Sequence, residues 1–344
     1  MISKSAFTLF TLRLIPVAIS LVIVAAIVFL AGASPIQVVA HLWSGAFGTA
    51  DQTARVFSTL APLLLCACGL VFSFAAGLYN LGIEGQITMG AIATTFALKI
   101  FENILPPPLV ILLAIIAGAA GGIFWGLLAG ILNVYGKVSE IFAGLGLNFV
   151  AQGLALYLVF GPWKRPGIAS MSGTELFSET LWLPTIGNTE ATPVSLILAT
   201  LGLILTLIVI RGTYFGLRLR AVGQNLRAAY ILGIPAVQQL LSAFAICGAF
   251  AGLAGTLQVL GVFHRLIPSI SSNLGFLALL VVMLLGSSLL WILPVSLFFS
   301  ALNIGSLQLP LSLNLESSLA GVIQGILVLF ALLGRGFNQS KTNS

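Results

Sequence analysis

Long apolar runs, parted by short polar breaks, fill this chain from Leu14 to Leu333. Runs of about 20 apolar residues are long enough to cross a bilayer as helices. Seven stand clear, at 14–33, 56–76, 87–101, 109–132, 140–160, 194–210 and 238–263. The stretch 274–307 is broken by Gly286-Ser287-Ser288 and by Pro294, and divides into an eighth and a ninth span. Residues 319–333 make the tenth. The pattern predicts an all-α polytopic membrane protein with about ten transmembrane helices, forming a single transmembrane domain over 1–344. Between the first two spans, 35–55 reads as a mixed loop with room for a short helix of its own.

Ten spans put both ends on one side. With that side cytoplasmic, Lys4, Arg13, Lys137, Arg211, Arg218, Arg220, Arg227, Arg335 and Lys341 lie inside. Arg55, Lys99, Lys164, Arg165 and Arg265 lie outside. Such an excess inside is the expected orientation bias. It makes 1–13 and 334–344 cytoplasmic and 161–193, the longest polar stretch, an external loop. The first run ends in Ala31-Gly32-Ala33-Ser34, which imitates a signal-peptidase site. Its apolar core exceeds the usual ~7–15 residues of a signal sequence, and more spans follow, so it reads as an uncleaved helix.

Composition agrees. The chain is 59% hydrophobic and 6% charged, with a mean hydropathy of +1.15. No soluble domain hides that much apolar surface. A net charge of +6 would suggest nucleic acid in a soluble protein. Here orientation accounts for it, so lipid and not nucleic acid is the expected surroundings. Cys66, Cys68 and Cys247 lie in apolar runs and read as small buried residues, not metal ligands. His41 and His264 are isolated near expected outer loops and read as interface residues.

Two polar interruptions carry candidate chemistry. The first is GLYNLGIEGQ, 77–86. Glu84 stands beside or inside an apolar helix pair, where a carboxylate costs about 2.5–3.5 kcal/mol at bilayer centre. Gly82 and Gly85 let the backbone turn, and Asn80 can cap the helix that follows. Either this is a broken helix bordering a transport path, with Asn80, Glu84 and Gln86 as polar contacts, or it is a helix start at the interface where Glu84 caps. The second is 211–236, which contains YFGLRLRAVGQNLRAAYILGIP. Asn225 can cap a short helix 226–232, Gly233 suits its C-terminal cap, and Pro235 bars continuation. Small Ala228 and Ala229, with Gly223, would let it plug a groove in a soluble partner. The alternative is a basic loop resting on lipid headgroups.

Gly118, Gly122, Gly126 and Gly130 recur every fourth residue and form a smooth helix face for a close neighbour. Asn80-Leu81-Gly82 opens the third span and Asn273-Leu274-Gly275 the eighth, on opposite sides in this topology. Matching helix order then makes spans 2–5 and 7–10 candidates for an inverted repeat; the tripeptide alone would recur by chance.

GLYNLGIEGQITMGA and LRAVGQNLRAAYILGI together resemble the permease subunits of bacterial ABC importers for branched-chain amino acids, simple sugars and nucleosides. SEIFAGLGLNFVAQ, GPW at 161–163 and QGILVLF at 324–330 resemble the longer permease of nucleoside-type systems. The resemblance implies that Arg220, Gly223, Asn225, Ala228, Ala229 and Gly233 form a cytoplasmic element coupled to an ATPase, and that 80–86 borders the translocation path. It further implies ABC ATPase subunits, a second permease subunit and an extracytoplasmic substrate-binding protein as partners, in the bacterial cytoplasmic (inner) membrane. ATP and Mg would bind the ATPase, leaving this chain without cofactor or catalytic site. No GxxxxGK[ST] occurs, in keeping with that. Two departures stand out: Leu226 replaces a common proline, and 275–290 lacks the family's small-residue pattern. The competing reading is an ion-coupled secondary transporter using Glu84. A membrane enzyme would need clustered His, Asp or Ser groups that the sequence lacks.

Overall fold

The computed structural model describes residues 18–165, 173–187, 189–285, 288–313, 315–316 and 318–342, and among them the regular elements are helical. The expected cytoplasmic start 1–13 and part of the external loop lie outside these residues. Each expected span meets a helix: α1 Ala18–Leu30, α3 Ala50–Ala75, α4 Ile83–Phe101, α5 Pro107–Val134, α6 Glu140–Phe160, α7 Pro193–Gly212, α10 Ala236–Leu257, α11 Leu274–Leu285, α12 Ile292–Gly305 and α14 Leu319–Thr342. Shorter helices lie between them: α2 Pro35–Phe47, α8 Tyr214–Gln224, α9 Leu226–Ile231 and α13 Leu309–Leu313.

The all-α polytopic fold is as expected, but the count of ten full spans is not confirmed. Among the described residues, six helices are long and apolar enough to cross a membrane, or seven if the bent pair α1–α2 is one span. The reasons are local. α4 carries Glu84, Gln86 and three threonines, polarity that suits a helix surrounded by protein rather than lipid. α11 has 12 residues, about 18 Å at 1.5 Å per residue, short of the hydrocarbon core. α1 turns through 96° into α2, where Gly32 takes the left-handed φ of +86° and Pro35 starts the new helix. Pro294 sits in the first turn of α12, so it marks a start and not a break within a helix. Residues 334–344, expected as a polar tail, continue α14 as far as Thr342.

Two compact units emerge, 1–56 with 280–344, and 57–279. In the first, Gly45 of α2 meets Gly305 of α12 so closely that a Cβ would stand 2.8 Å from the Gly305 carbonyl oxygen. Val28, Val38, Leu42, Leu309, Leu315 and Ile323 form its apolar core.

The second unit is built on α4, α5 and α10. The glycine face of α5 packs on α10, as its spacing predicts. A Cβ on Gly122 would lie 2.7 Å from Gly252 Cα, and one on Gly130 would lie 3.0 Å from the Phe244 ring. α10 answers with Gly248 and Gly252, and turns Gly255 against Ile87 and Ala91 of α4. Inside lipid, apolar burial does not favour one helix partner over the solvent chains. Close backbone packing and hydrogen bonds such as Thr94 to Thr256, 2.8 Å, hold the bundle instead.

Connectivity fixes two ends for this unit. α10 and its π-helical extension span 28 residues, about 42 Å at 1.5 Å per residue. Gly223 and the α8–α9 pair precede its first end. His264 follows its second, where Phe177 N donates to the His264 carbonyl and Thr174 N to the Leu266 carbonyl. Residues 173–187 thus form an ordered collar there, closed by Trp182 stacked on His264 at 3.9 Å.

Candidate functional site

Two chain segments fold back into the second unit from its opposite ends. The link after α3 starts against Gly223, where a Cβ on Gly77 would stand 3.0 Å from the Gly223 carbonyl oxygen. It then climbs inward, so that Asn80 is wholly buried and donates to Cys247 Sγ, 3.1 Å away and near the middle of α10. The segment 264–273 leaves the collar end and also runs inward, burying Leu266 and Ile270 completely. The segments that carry the two Asn-Leu-Gly turns therefore start from opposite ends of this unit. Their tips converge at one place within the bundle: a Cβ on Gly275 would touch Ile83 at 2.7 Å and Glu84 Oε1 at 2.9 Å.

Glu84 joins the two tips. It lies in the first turn of α4, but its carboxylate serves another helix: Phe276 N donates to Glu84 Oε1 at 3.0 Å. The Gly275 N–H and the Ser271 hydroxyl also bond to it. The other early amides of α11 are met by Ser271 and Asn273 carbonyls. Every donor of that first turn is thus paired, as a helix start away from water requires. Glu84 thus caps α11 rather than the helix it sits on, and it is buried inside the unit.

Asn80 and Gln86 behave differently. Asn80 Nδ2 donates to Gln86 Oε1 at 3.3 Å, and Gly82 N donates to Asn80 Oδ1 at 3.1 Å. This is an Asx turn; the helix N-cap is Gly82, with no side-chain cap bond. Both side chains are fully buried and stand behind the cavity wall, fixing the turn's shape.

A cavity of about 280 Å³ opens beside Glu84. α4 lends it Glu84 and Thr88; α6 lends Leu145, Asn148, Phe149 and Gln152; the inward segment lends Pro268, Ser269, Ser271, Ser272 and Asn273; α11 lends Phe276. Apart from Glu84 its polar groups are uncharged. Asn148 is a residue that the sequence reading passed over. It accepts from Gly85 N at 2.7 Å and donates to the Leu81 carbonyl at 2.8 Å, clamping the start of α4 to α6. The available signal was a pair of amides, Asn148 and Gln152, four residues apart in the apolar run of α6.

The basic segment forms the two helices α8 and α9. Asn225 caps α9 by accepting from Ala228 N at 3.0 Å. Gly233, at φ +76°, ends it with paired bonds, Gly233 N to the Tyr230 carbonyl and Ile234 N to the Ala229 carbonyl. Ala229 is buried against Val222 and Ala236. The opposite face is open: Tyr230 is 77% and Ile231 83% exposed, with Arg227 and Ala228 beside them. Gly223 fits tightly, since a Cβ there would meet Ala76 C and Gly77 N at 2.8 Å. Arg220 keeps a bond to the Gly216 carbonyl at 3.4 Å.

Three curated relatives align over most of the chain. The guanosine ABC transporter permease protein NupP of Bacillus subtilis is 27% identical over 92% of this chain and 91% of its own length. The nucleoside ABC transporter permease protein NupB of Lactococcus lactis is 29% identical over 82% and 79%. The glucose ABC transporter permease protein TsgB13 of Haloferax volcanii is 28% identical over 86% and 78%. Residues 52–332 match one protein family, and the chain belongs to it: the branched-chain amino acid transport system / permease component family.

Proposed function

We propose that this chain is a transmembrane subunit of an ABC importer that carries nucleosides inward, with simple sugars as the second substrate class. The cavity beside Glu84 is the observation that carries this reading. Thr88, Gln152, Ser269, Ser272 and Asn273 offer neutral hydrogen-bonding groups there, while Phe149 and Phe276 offer apolar faces. That mixture suits a solute with hydroxyls on one part and a flat base on another. The relatives named for guanosine, nucleoside and glucose transport support the same order.

The energy comes from elsewhere. ATP and Mg bind on separate ATPase subunits, which dock on the open face of α9. A second permease subunit completes the path, and an extracytoplasmic binding protein delivers the solute. The chain sits in the bacterial inner membrane with both termini cytoplasmic, so that α8 and α9 face the ATPase and the 173–187 collar faces outward. Closure of the ATPases then alternates access between the two ends of α10.

The test is uptake of labelled guanosine, other nucleosides and glucose by cells with and without the intact gene. Nucleoside uptake that needs this chain, follows cellular ATP and survives an uncoupler supports the reading. Uptake that collapses with the uncoupler while ATP persists would install the ion-coupled carrier in its place.

A further inference from the structure

Among the described residues that line the cavity, Glu84 bears the one acidic group, and transport as proposed above does not require its carboxylate to touch substrate. It accepts from Phe276 N at 3.0 Å, and from Gly275 N and the Ser271 hydroxyl. Of these donors, Phe276 lies 192 positions away in sequence.

What the carboxylate holds is a short, strained connection. Ser272 and Asn273 both adopt left-handed φ, +48° and +60°, which costs free energy for residues with a Cβ. They lie directly between the collar-anchored part of the segment and the first turn of α11. On the collar side, Thr174 and Leu266 fix the segment through Thr174 N to the Leu266 carbonyl, 2.9 Å, and Leu266 N to Thr174 Oγ1, 3.1 Å. On the inner side the fixed point is Glu84. The stretch 268–273 between these anchors supplies five of the residues around the cavity.

We infer that Glu84 is a positioning residue: reaching from α4, it pins the start of α11 and so holds 268–273 in place as one wall of the solute cavity. This rests on the transport reading above. The role uses the carboxylate as a hydrogen-bond acceptor, with no proton or ion exchanged in the cycle. An amide in the same place keeps one acceptor oxygen, so Glu84→Gln retains much of the hold, and Glu84→Ala retains none. The link can also be cut from its other end. Phe276 is the third residue of α11, where a proline fits the helix but has no N–H to give.

The experiment measures uptake and thiol reactivity in cells that hold the whole transporter. Ser269→Cys supplies a reporter on the wall, and the native Cys66, Cys68 and Cys247 are buried. Membrane-inserted protein is probed with a water-soluble maleimide. The expected result is a rise of about tenfold or more in Ser269→Cys labelling with Glu84→Ala and with Phe276→Pro. Glu84→Gln and Phe276→Leu should stay within about threefold of the parent. In uptake, Glu84→Gln should keep its Vmax within about threefold, while Glu84→Ala raises KM about tenfold. Uptake lost equally in Glu84→Gln and Glu84→Ala overturns the inference and makes the charge itself essential. Labelling unchanged by Glu84→Ala and Phe276→Pro also overturns it. Should Glu84→Ala fail to insert, the Phe276 pair decides. If the parent takes up no nucleoside, the substrate reading fails, and the labelling still judges Glu84.

Discussion

The open face of α9 makes a prediction whose size can be worked out. Ile231 lies opposite buried Ala229 on the short helix and is 83% exposed. If an ATPase groove covers it, Ile231→Ala removes three carbons from that contact. At about 0.8 kcal/mol per buried CH₂, scaled by the exposed fraction, the loss is about 2 kcal/mol, or about thirtyfold in affinity. Ala228→Glu tests the same surface without risk to the helix. A carboxylate there sits three residues after the Asn225 cap, where it is favourable for a helix start. Its burial unpaired in an interface costs several kcal/mol. α9 should therefore stay folded while docking falls by about a hundredfold or more. The assay titrates the ATPase subunit onto the permease in nanodiscs, with amide exchange over α9 as the check on folding. Wild-type affinity in both variants would refute α9 as the docking surface. Substitutions at Gly223 would perturb folding rather than docking, because the Ala76–Gly77 backbone leaves no room there for a side chain.

Other outcomes follow from the same geometry. Gly122→Ala should destabilise the bundle in a detergent melt by about 1–3 kcal/mol, because Gly252 stands where the methyl must go. Gly146→Ala, with nothing within 4 Å, should be neutral or stabilising by about 0.5–1 kcal/mol. Asn225→Ala should cost the α9 helix about 1 kcal/mol and speed exchange at the Ala228 amide. Burial pushes the His264 imidazole below its ordinary pKa, against opposing effects of the Leu260 carbonyl and Glu190. The unfolded chain then takes the proton first, so stability is full above about pH 6.5 and declines as pH falls below it. His264→Phe should flatten that decline in melts from pH 7.5 to 5.

The local features were legible in the apolar pattern. Each run is a helix because its backbone polar groups find partners within the helix itself, wherever the surroundings are dry. The Asn225 cap, the Gly233 ending and the glycine face of α5 could be read from spacing, since each acts over a few residues or along one helix face. Depth and partnership could not. α4 looked interrupted at Glu84 because its polarity matches water, yet it is helical from Ile83, with donors supplied by α11. The run count became ten spans because hydropathy cannot tell a helix that crosses lipid from one that begins midway inside protein. The sequence alone determined where the long apolar helices lie, that the chain belongs in a membrane, and which short helix is capped at both ends. Only the tertiary structure decided that two segments from opposite ends of the unit meet at Glu84, that Asn148 clamps the start of α4 to α6, and that Asn80 and Gln86 stand behind the cavity. Those facts rest on contacts between residues far apart in the chain, and local periodicity carries no record of them.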